Sequence, residues 1–205
     1  APVTAIAIPR KRVLADYVPA VVGVPAWVGT RVRDLLLIAA GAGFIGLLAQ
    51  WSIPLPGTPV PLTLGTFAVL LTGASLGGVR GLLSVGTYLV AGGLGVNWFA
   101  NHKDGWGGAT FGYVIGFVLA GALVGWLAQR GGDRTVVKTA ITMVLGNLVI
   151  YSVGVSWLMN TTGMDLKAGL AAGMTPFLIG DAIKIAAAAG LLPAAWSLVK
   201  RVDKH

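Results

Sequence analysis

From Asp34 onward the chain is a succession of long apolar runs separated by short polar or Gly/Pro-rich segments. A hydrocarbon core of about 30 Å takes roughly 20 apolar helical residues to cross. Six runs approach that length: Asp34 to Trp51, Thr63 to Gly78, Gly81 to Val96, Thr110 to Gln129, Val136 to Met159 and Pro176 to Val199. The second and third are short, and Gly77-Gly78-Val79-Arg80-Gly81 leaves room for only a tight turn between them. The runs are continuous and do not alternate at a period of two, which argues against the strands of an outer-membrane barrel. The pattern predicts an all-α integral membrane protein, a bundle of six transmembrane helices.

Composition sharpens this picture. Apolar residues make up 56% of the 205 and charged residues 11%, and the mean hydropathy is +0.82, far from the range of soluble domains. The 31 glycines suit a membrane bundle, where small residues let helices approach closely. No cysteine is present, so disulfides, thiol catalysis and thiolate metal sites are excluded.

Lys and Arg accumulate in cytoplasmic loops, and their placement orients the bundle. Arg10, Lys11, Arg12, Arg31 and Arg33 precede the first run, Arg80 lies between the second and third, Arg130, Arg134 and Lys138 between the fourth and fifth, and Lys200, Arg201 and Lys204 follow the sixth. Only Lys103 and Lys167 fall on the opposite side, so both termini are expected in the cytoplasm. The net charge of +8 is then a topology signal, with anionic lipid headgroups as companions and no nucleic acid. Residues 1–33 read as a cytoplasmic N-terminal extension and residues 34–205 as the membrane domain. A cleaved signal peptide is not expected, because the basic cluster follows the apolar start.

The sharpest chemical signal is Asp181 with Lys184 inside the last apolar run. Ionisable groups at bilayer depth cost roughly 2.5–3.5 kcal/mol each and mark functional sites unless they only neutralise one another. Thr175-Pro176 reads as a helix start on the outer side. Counting from it puts Asp181 about 9 Å and Lys184 about 13 Å deep on neighbouring positions of one face. A polar ligand site open to the exterior follows, with Lys184 facing a carboxylate and Asp181 accepting N–H donors or orienting the lysine. Thr63, Thr66, Tyr113, Asn147 and Tyr151 approach the same depth, beneath the loops Ser52 to Leu62 and Asn97 to Ala109. The prolines around Gly57 make the first of these loops a candidate lid. In the first run, small residues recur four apart at Ala39 and Gly43 and at Ala42 and Gly46, a strip suited either to packing within the bundle or to docking a partner subunit.

Several chemistries are excluded. No Gly-rich loop ends in Gly-Lys-Ser/Thr, so ATP use would need a partner. Glutamate is absent and the histidines are His102 and His205, which removes a His-based relay or a metal-bound carboxylate site. Gly73-Ala74-Ser75-Leu76-Gly77 matches a serine-nucleophile pattern, but Ser75 belongs to the inner end of its run and His102 to an outer loop. Close packing followed by a turn is the better reading of that motif, and an enzyme is not expected.

In order and spacing, several stretches resemble the BioY family, the biotin-binding S components of energy-coupling factor (ECF) transporters. They are Pro59-Val60-Pro61-Leu62-Thr63-Leu64-Gly65-Thr66, Gly77-Gly78-Val79-Arg80-Gly81, Gly108-Ala109-Thr110-Phe111-Gly112-Tyr113 with Ile115-Gly116-Phe117, and Pro176-Phe177-Leu178-Ile179-Gly180-Asp181 with Lys184. The resemblance runs from about Pro54 to Lys200. The chain departs from the family pattern at Gly65, Ala109, Phe111 and Ile179, and in the stretch Asn101-His102-Lys103-Asp104. The resemblance implies six helices and capture of biotin from outside, in a bacterial cytoplasmic membrane. It also implies delivery inward with a transmembrane T component and ATPase subunits, and no cofactor or metal. Carried residue by residue, it implies ligand contacts at Asp181 and Lys184, supported by Tyr113, Thr66, Asn147 and Lys103; the strip at Ala39 and Gly43 lies before the matched stretch and becomes a candidate contact for the T component. Two other classes fit the residues alone: a proton-coupled carrier of a small carboxylate, and a structural subunit whose charge pair fixes helix register.

Overall fold

The computed structural model describes residues 12–17 and 29–202. Its helices are α1 (Thr30–Ala49), α2 (Gly65–Leu76), α3 (Gly78–Gly93), α4 (Phe111–Ala128), α5 (Val136–Thr162), α6 (Leu166–Gly173) and α7 (Leu178–Val202). Two short strands, β1 (Ser52–Ile53) and β2 (Leu62–Thr63), pair antiparallel, with Ser52 opposite Thr63, and close the loop after α1 into a ribbon. The six apolar runs each hold a helix. The short α6 falls between the fifth and sixth runs, its start capped by the Asp165 carboxylate accepting from Ala168 N at 2.8 Å.

Among the described residues, four stretches are long and apolar enough to cross a membrane: α1, α4, α5 and Leu166–Arg201, which joins α6 to α7. At 1.5 Å per residue α2 and α3 reach only about 18 and 24 Å. They meet at the single residue Gly77, whose φ of 86° is a left-handed value that glycine adopts without strain. The start of α7 differs from expectation. Thr175 and Pro176 lie in a 3-10 turn, and the Thr175 hydroxyl donates back to Leu170 O at 3.1 Å and does not cap the helix.

The helix α4 packs against α2, α3 and α5, while α1 covers α2 and α3, and α7 covers α5. Backbones approach closely where α2, α3 and α4 cross. A Cβ on Gly73 would stand 2.5 Å from Gly121 O, and one on Gly81 3.1 Å from both Gly121 O and Gly73 Cα. The motif around Ser75 therefore serves close packing and a turn. In α1 the two small-residue pairs separate: Ala42 and Gly46 are buried, Gly46 against Trp98, whereas Ala39 and Gly43 are exposed and a Cβ on Gly43 would meet nothing within 4 Å. Leu35, Leu47, Ile179 and Ile183 also face outward, as lipid-facing side chains do.

Charged groups gather at one end of the bundle. Arg80 in the α2–α3 corner pairs with Asp16 and Asp34 and donates to Leu76 O. Asp133 is fully buried and accepts from Trp196 Nε1 at 2.7 Å and Arg134 Nε at 3.1 Å. Burial pushes its carboxyl up, while Trp196 and Arg134 hold it down. Arg134 stacks on Trp196, and Tyr17 meets the same ring edge-on. Thus the piece of the N-terminal extension around Leu14–Asp16 is docked, with Val13 and Ala15 buried. Arg10, Lys11, Lys204 and His205 lie outside the described residues.

The crossing carries a direct test. Gly73→Ala is expected to cost about 1–3 kcal/mol through overpacking. Gly86→Ala, with open space around its Cβ, should be neutral or gain up to about 1 kcal/mol of helix propensity. Thermal unfolding in detergent measures both, and equal stability of the two variants would contradict the crossing.

Candidate functional site

Opposite the charged end lies a cavity of about 230 Å³, close to the lower edge of the roughly 300–1,000 Å³ usual for small-molecule sites. Its floor comes from the helices and its roof from the two loops flagged in the sequence. The ribbon loop contributes Pro59, Val60 and Pro61 and is tied down by Thr58, whose hydroxyl donates to Ala172 O at 2.7 Å. Asn101, Lys103 and Gly108 come from the loop between α3 and α4.

Asp181 and Lys184 stand on the wall, one helical turn apart on α7, with Asp181 buried. Lys184 Nζ donates to Asp181 Oδ1 at 3.3 Å and to Thr66 Oγ1 of α2 at 2.9 Å. Tyr151 of α5 donates its hydroxyl to Asp181 Oδ2. Three helices thus share one polar cluster. An ammonium has three donors and a carboxylate about four acceptor sites. These contacts use two of each, which leaves one N–H of Lys184 and further lone pairs of Asp181 for a ligand.

Tyr113 is on the wall as expected, but its hydroxyl is already donated to Gly173 O at 2.7 Å. Its ring lies against Gly154, where a Cβ would come within 2.4 Å of it, so its main offering to a ligand is an aromatic face. Thr66 lines the cavity through the same hydroxyl that holds Lys184. Lys103 sits exposed on the rim and makes no ion pair among the described residues. Asn147 is the exception: it lies off the cavity, in a tight crevice with Thr66 and Lys184. Four residues of helix, about 6 Å, separate it from Tyr151, which does reach the wall.

Much of the apolar wall is aromatic. Tyr88, Phe99 and Phe111 form a chain of edge contacts, with ring centroids 5.3 Å and 6.4 Å apart, that continues to Trp157 at 5.9 Å. In the sequence these rings are scattered over three runs and one loop with no shared period, so no signal grouped them. The arrangement can accept a compact apolar ring system carrying both hydrogen-bond donors and acceptors, together with an anionic tail at the rim.

The model of the BioY family matches residues 19–201. The chain is 35% identical over 160 residues to the biotin transporter BioY of Thermotoga maritima, covering 77% of this chain and 92% of that one. It is also 35% identical over 161 residues to the probable biotin transporter BioY of Pyrococcus horikoshii, covering 77% and 93%. The fold is similar to the crystal structure at 2.1 Å of the S-component for biotin from an ECF-type ABC transporter. That likeness has a TM-score of 0.71 and 24% identity, and it covers 85% of this chain and 93% of that one.

Removing one member of a buried ion pair strands the other, whereas neutralising both does not. Lys184→Met alone is expected to lower stability by on the order of 3 kcal/mol, and the joint Asp181→Asn, Lys184→Met protein should recover most of it. Thermal unfolding of ligand-free protein decides; equal losses in both would mean that Lys184 does not offset the burial of Asp181.

Proposed function

The chain belongs to the BioY family, and from that membership together with its cavity we propose that it is a biotin-binding S subunit that takes biotin from outside and delivers it inward. The observation that carries this reading is the Asp181–Lys184 pair, held by Tyr151 and Thr66 in the wall of a loop-roofed, largely aromatic cavity. Biotin has a ureido ring with two N–H donors and a carbonyl, an apolar thiophane ring and a valerate that is anionic at neutral pH. Asp181 accepts the ureido N–H groups and the free N–H of Lys184 meets the ureido carbonyl. The rings lie against Tyr113 and Phe111, and the valerate runs to the rim.

Charge supports this direction. Asp181 and Lys184 neutralise each other, so a carboxylate placed beside them would be a second anion in a poorly solvated place. Lys103 offers a cation at the rim, where water reaches the carboxylate as well.

In this reading the chain spans a bacterial cytoplasmic membrane six times, with α2 and α3 as short spans and both termini inside. Residues 34–205 form the binding domain and residues 1–33 the cytoplasmic extension, of which the described piece, residues 12–17, packs beneath it. The outer end holds the cavity, and the end with Arg80 and Arg134 faces the cytoplasm, in keeping with the excess of Lys and Arg there. ATP-driven release requires a T component and ATPase subunits, since the chain carries no phosphate-binding loop. The exposed strip at Ala39 and Gly43 offers the T component a close helix contact. No cofactor or metal enters the function.

Calorimetric titration with biotin is expected to give one tight site in detergent-purified protein. Asp181→Asn and Lys184→Ala, checked for folding, should each weaken it more than tenfold, about 1.4 kcal/mol. No binding by well-folded wild-type protein would discard biotin. Gly43→Leu, which has open space around it, should leave binding unchanged and reduce cellular uptake. Normal uptake by that variant would remove the strip from the partner contact.

A further inference from the structure

Gln50, the residue that ends α1, does not line the cavity, yet its side chain reaches across to the loop that forms part of the roof. Its Nε2 has two N–H groups for three carbonyls, Trp98 O at 2.7 Å, Phe99 O at 3.2 Å and Gly46 O at 2.9 Å in its own helix, so one N–H is shared between two of them. Its Oε1 accepts from His102 N at 3.0 Å. These bonds bracket two consecutive residues in the left-handed region, Asn101 (φ 61°) and His102 (φ 54°). Non-glycine residues hold that conformation only where their surroundings over-determine it. The turn is closed by Phe99 N donating to Lys103 O at 3.0 Å, and it sets Asn101 and Lys103 on the cavity rim. Asp104 also reaches the cavity rim beside Lys103, and Asn97 donates to its Oδ2 at 3.1 Å, which engages the one carboxylate on this loop.

We propose that Gln50 is a positioning residue for ligand capture: its amide locks the 99–103 turn so that Lys103 stays on the rim where the ligand carboxylate arrives. The role rests on the biotin reading above. It calls for a primary amide, which alone among uncharged side chains presents two donors and an acceptor in one plane. Leucine would leave the Trp98 and Phe99 carbonyls and the His102 N–H without this partner. Glutamate would keep only the acceptor. Because Gln50 is fixed to α1 through Gly46, the position of Lys103 is referred to a helix and not to the loop itself.

A double-mutant cycle with two ligands tests the role. Gln50→Leu and Lys103→Ala are each expected to weaken biotin binding about tenfold, the scale of a charge-assisted hydrogen bond, and their combination should be little weaker than Lys103→Ala alone. Biotinamide, which lacks the anionic carboxylate, should bind Gln50→Leu and wild-type protein alike. Equal losses for biotin and biotinamide, or full additivity with Lys103→Ala, would overturn the proposal and reduce Gln50 to a structural tie. Hydrogen exchange in ligand-free protein adds a readout independent of biotin. The segment 97–104 should exchange several-fold faster in Gln50→Leu, and also in Gln50→Glu if the leucine variant does not fold. Unchanged exchange would overturn the lock itself. Faster exchange with no biotin binding by wild-type protein would sustain the lock and sink the biotin reading, and the carboxylate role of Lys103 with it.

Discussion

The constraint on which the cavity end of this bundle depends is the burial of a carboxylate and an ammonium within an apolar assembly. Neither charge is tolerable alone at that depth, and each needs more than the other to be satisfied. The chain meets this need with one group from each of two further helices: the Tyr151 hydroxyl on Asp181, and the Thr66 hydroxyl beneath Lys184. The polar cluster therefore fixes α2, α5 and α7 relative to one another, in a protein whose apolar surfaces give little direction to helix pairing within lipid. A site assembled in this way is pre-organised, because the groups that would meet a ligand are already held by groups that would not.

Space for a ligand follows from a second constraint. The crossing at Gly73, Gly81 and Gly121 draws α2 and α3 tightly against α4, and both helices are shorter than a membrane is thick. Height that full-length helices would have filled is left to the ribbon loop and the α3–α4 loop. A cavity roofed by loops and floored by helices results. Each loop is in turn referred to something rigid: the ribbon to α6 through Thr58, and the α3–α4 loop to α1 through Gln50. Short helices and tethered loops are thus two aspects of one solution.

Much of this was legible in the sequence, for physical reasons. Apolar run length reports helices directly, so all six runs contain one, and an isolated Asp181–Lys184 pair in apolar surroundings is conspicuous because such charges are costly. Thr66, Tyr113 and Lys103 fell on the cavity because helix depth and loop placement suffice to put them there. Asn147 did not, since sharing a face with Tyr151 leaves a turn of height undetermined. The β1–β2 ribbon, the helix α6 and the docking of residues around Leu14–Asp16 were missed. Each is short, and each is stabilised by contacts distant in sequence, such as Arg80 with Asp16. Gln50 escaped for the same reason, as its partners lie about fifty residues away.

The helix α7 links the two ends of the molecule. Near its start it carries Asp181 and Lys184, and about four turns later Trp196 donates to the buried Asp133 and supports both Arg134 and Tyr17. Fifteen residues, about 22 Å of helix, separate Asp181 from Trp196. Their mutual independence would be expected at that distance if the helix were only a spacer. Yet both ends of α7 are held by charged and aromatic groups, whereas its middle, Ala186 to Gly190, is made of alanine and glycine. Between those anchors the helix is buried at Ala188, Ala189 and Leu192, and Pro193, which cannot donate to the preceding turn, lies one turn before Trp196. Asp181 and Lys184 near one end and Trp196 near the other are thus set on one helix that packs against α5, so the polar cluster is positioned from both ends of the bundle and not by a loop.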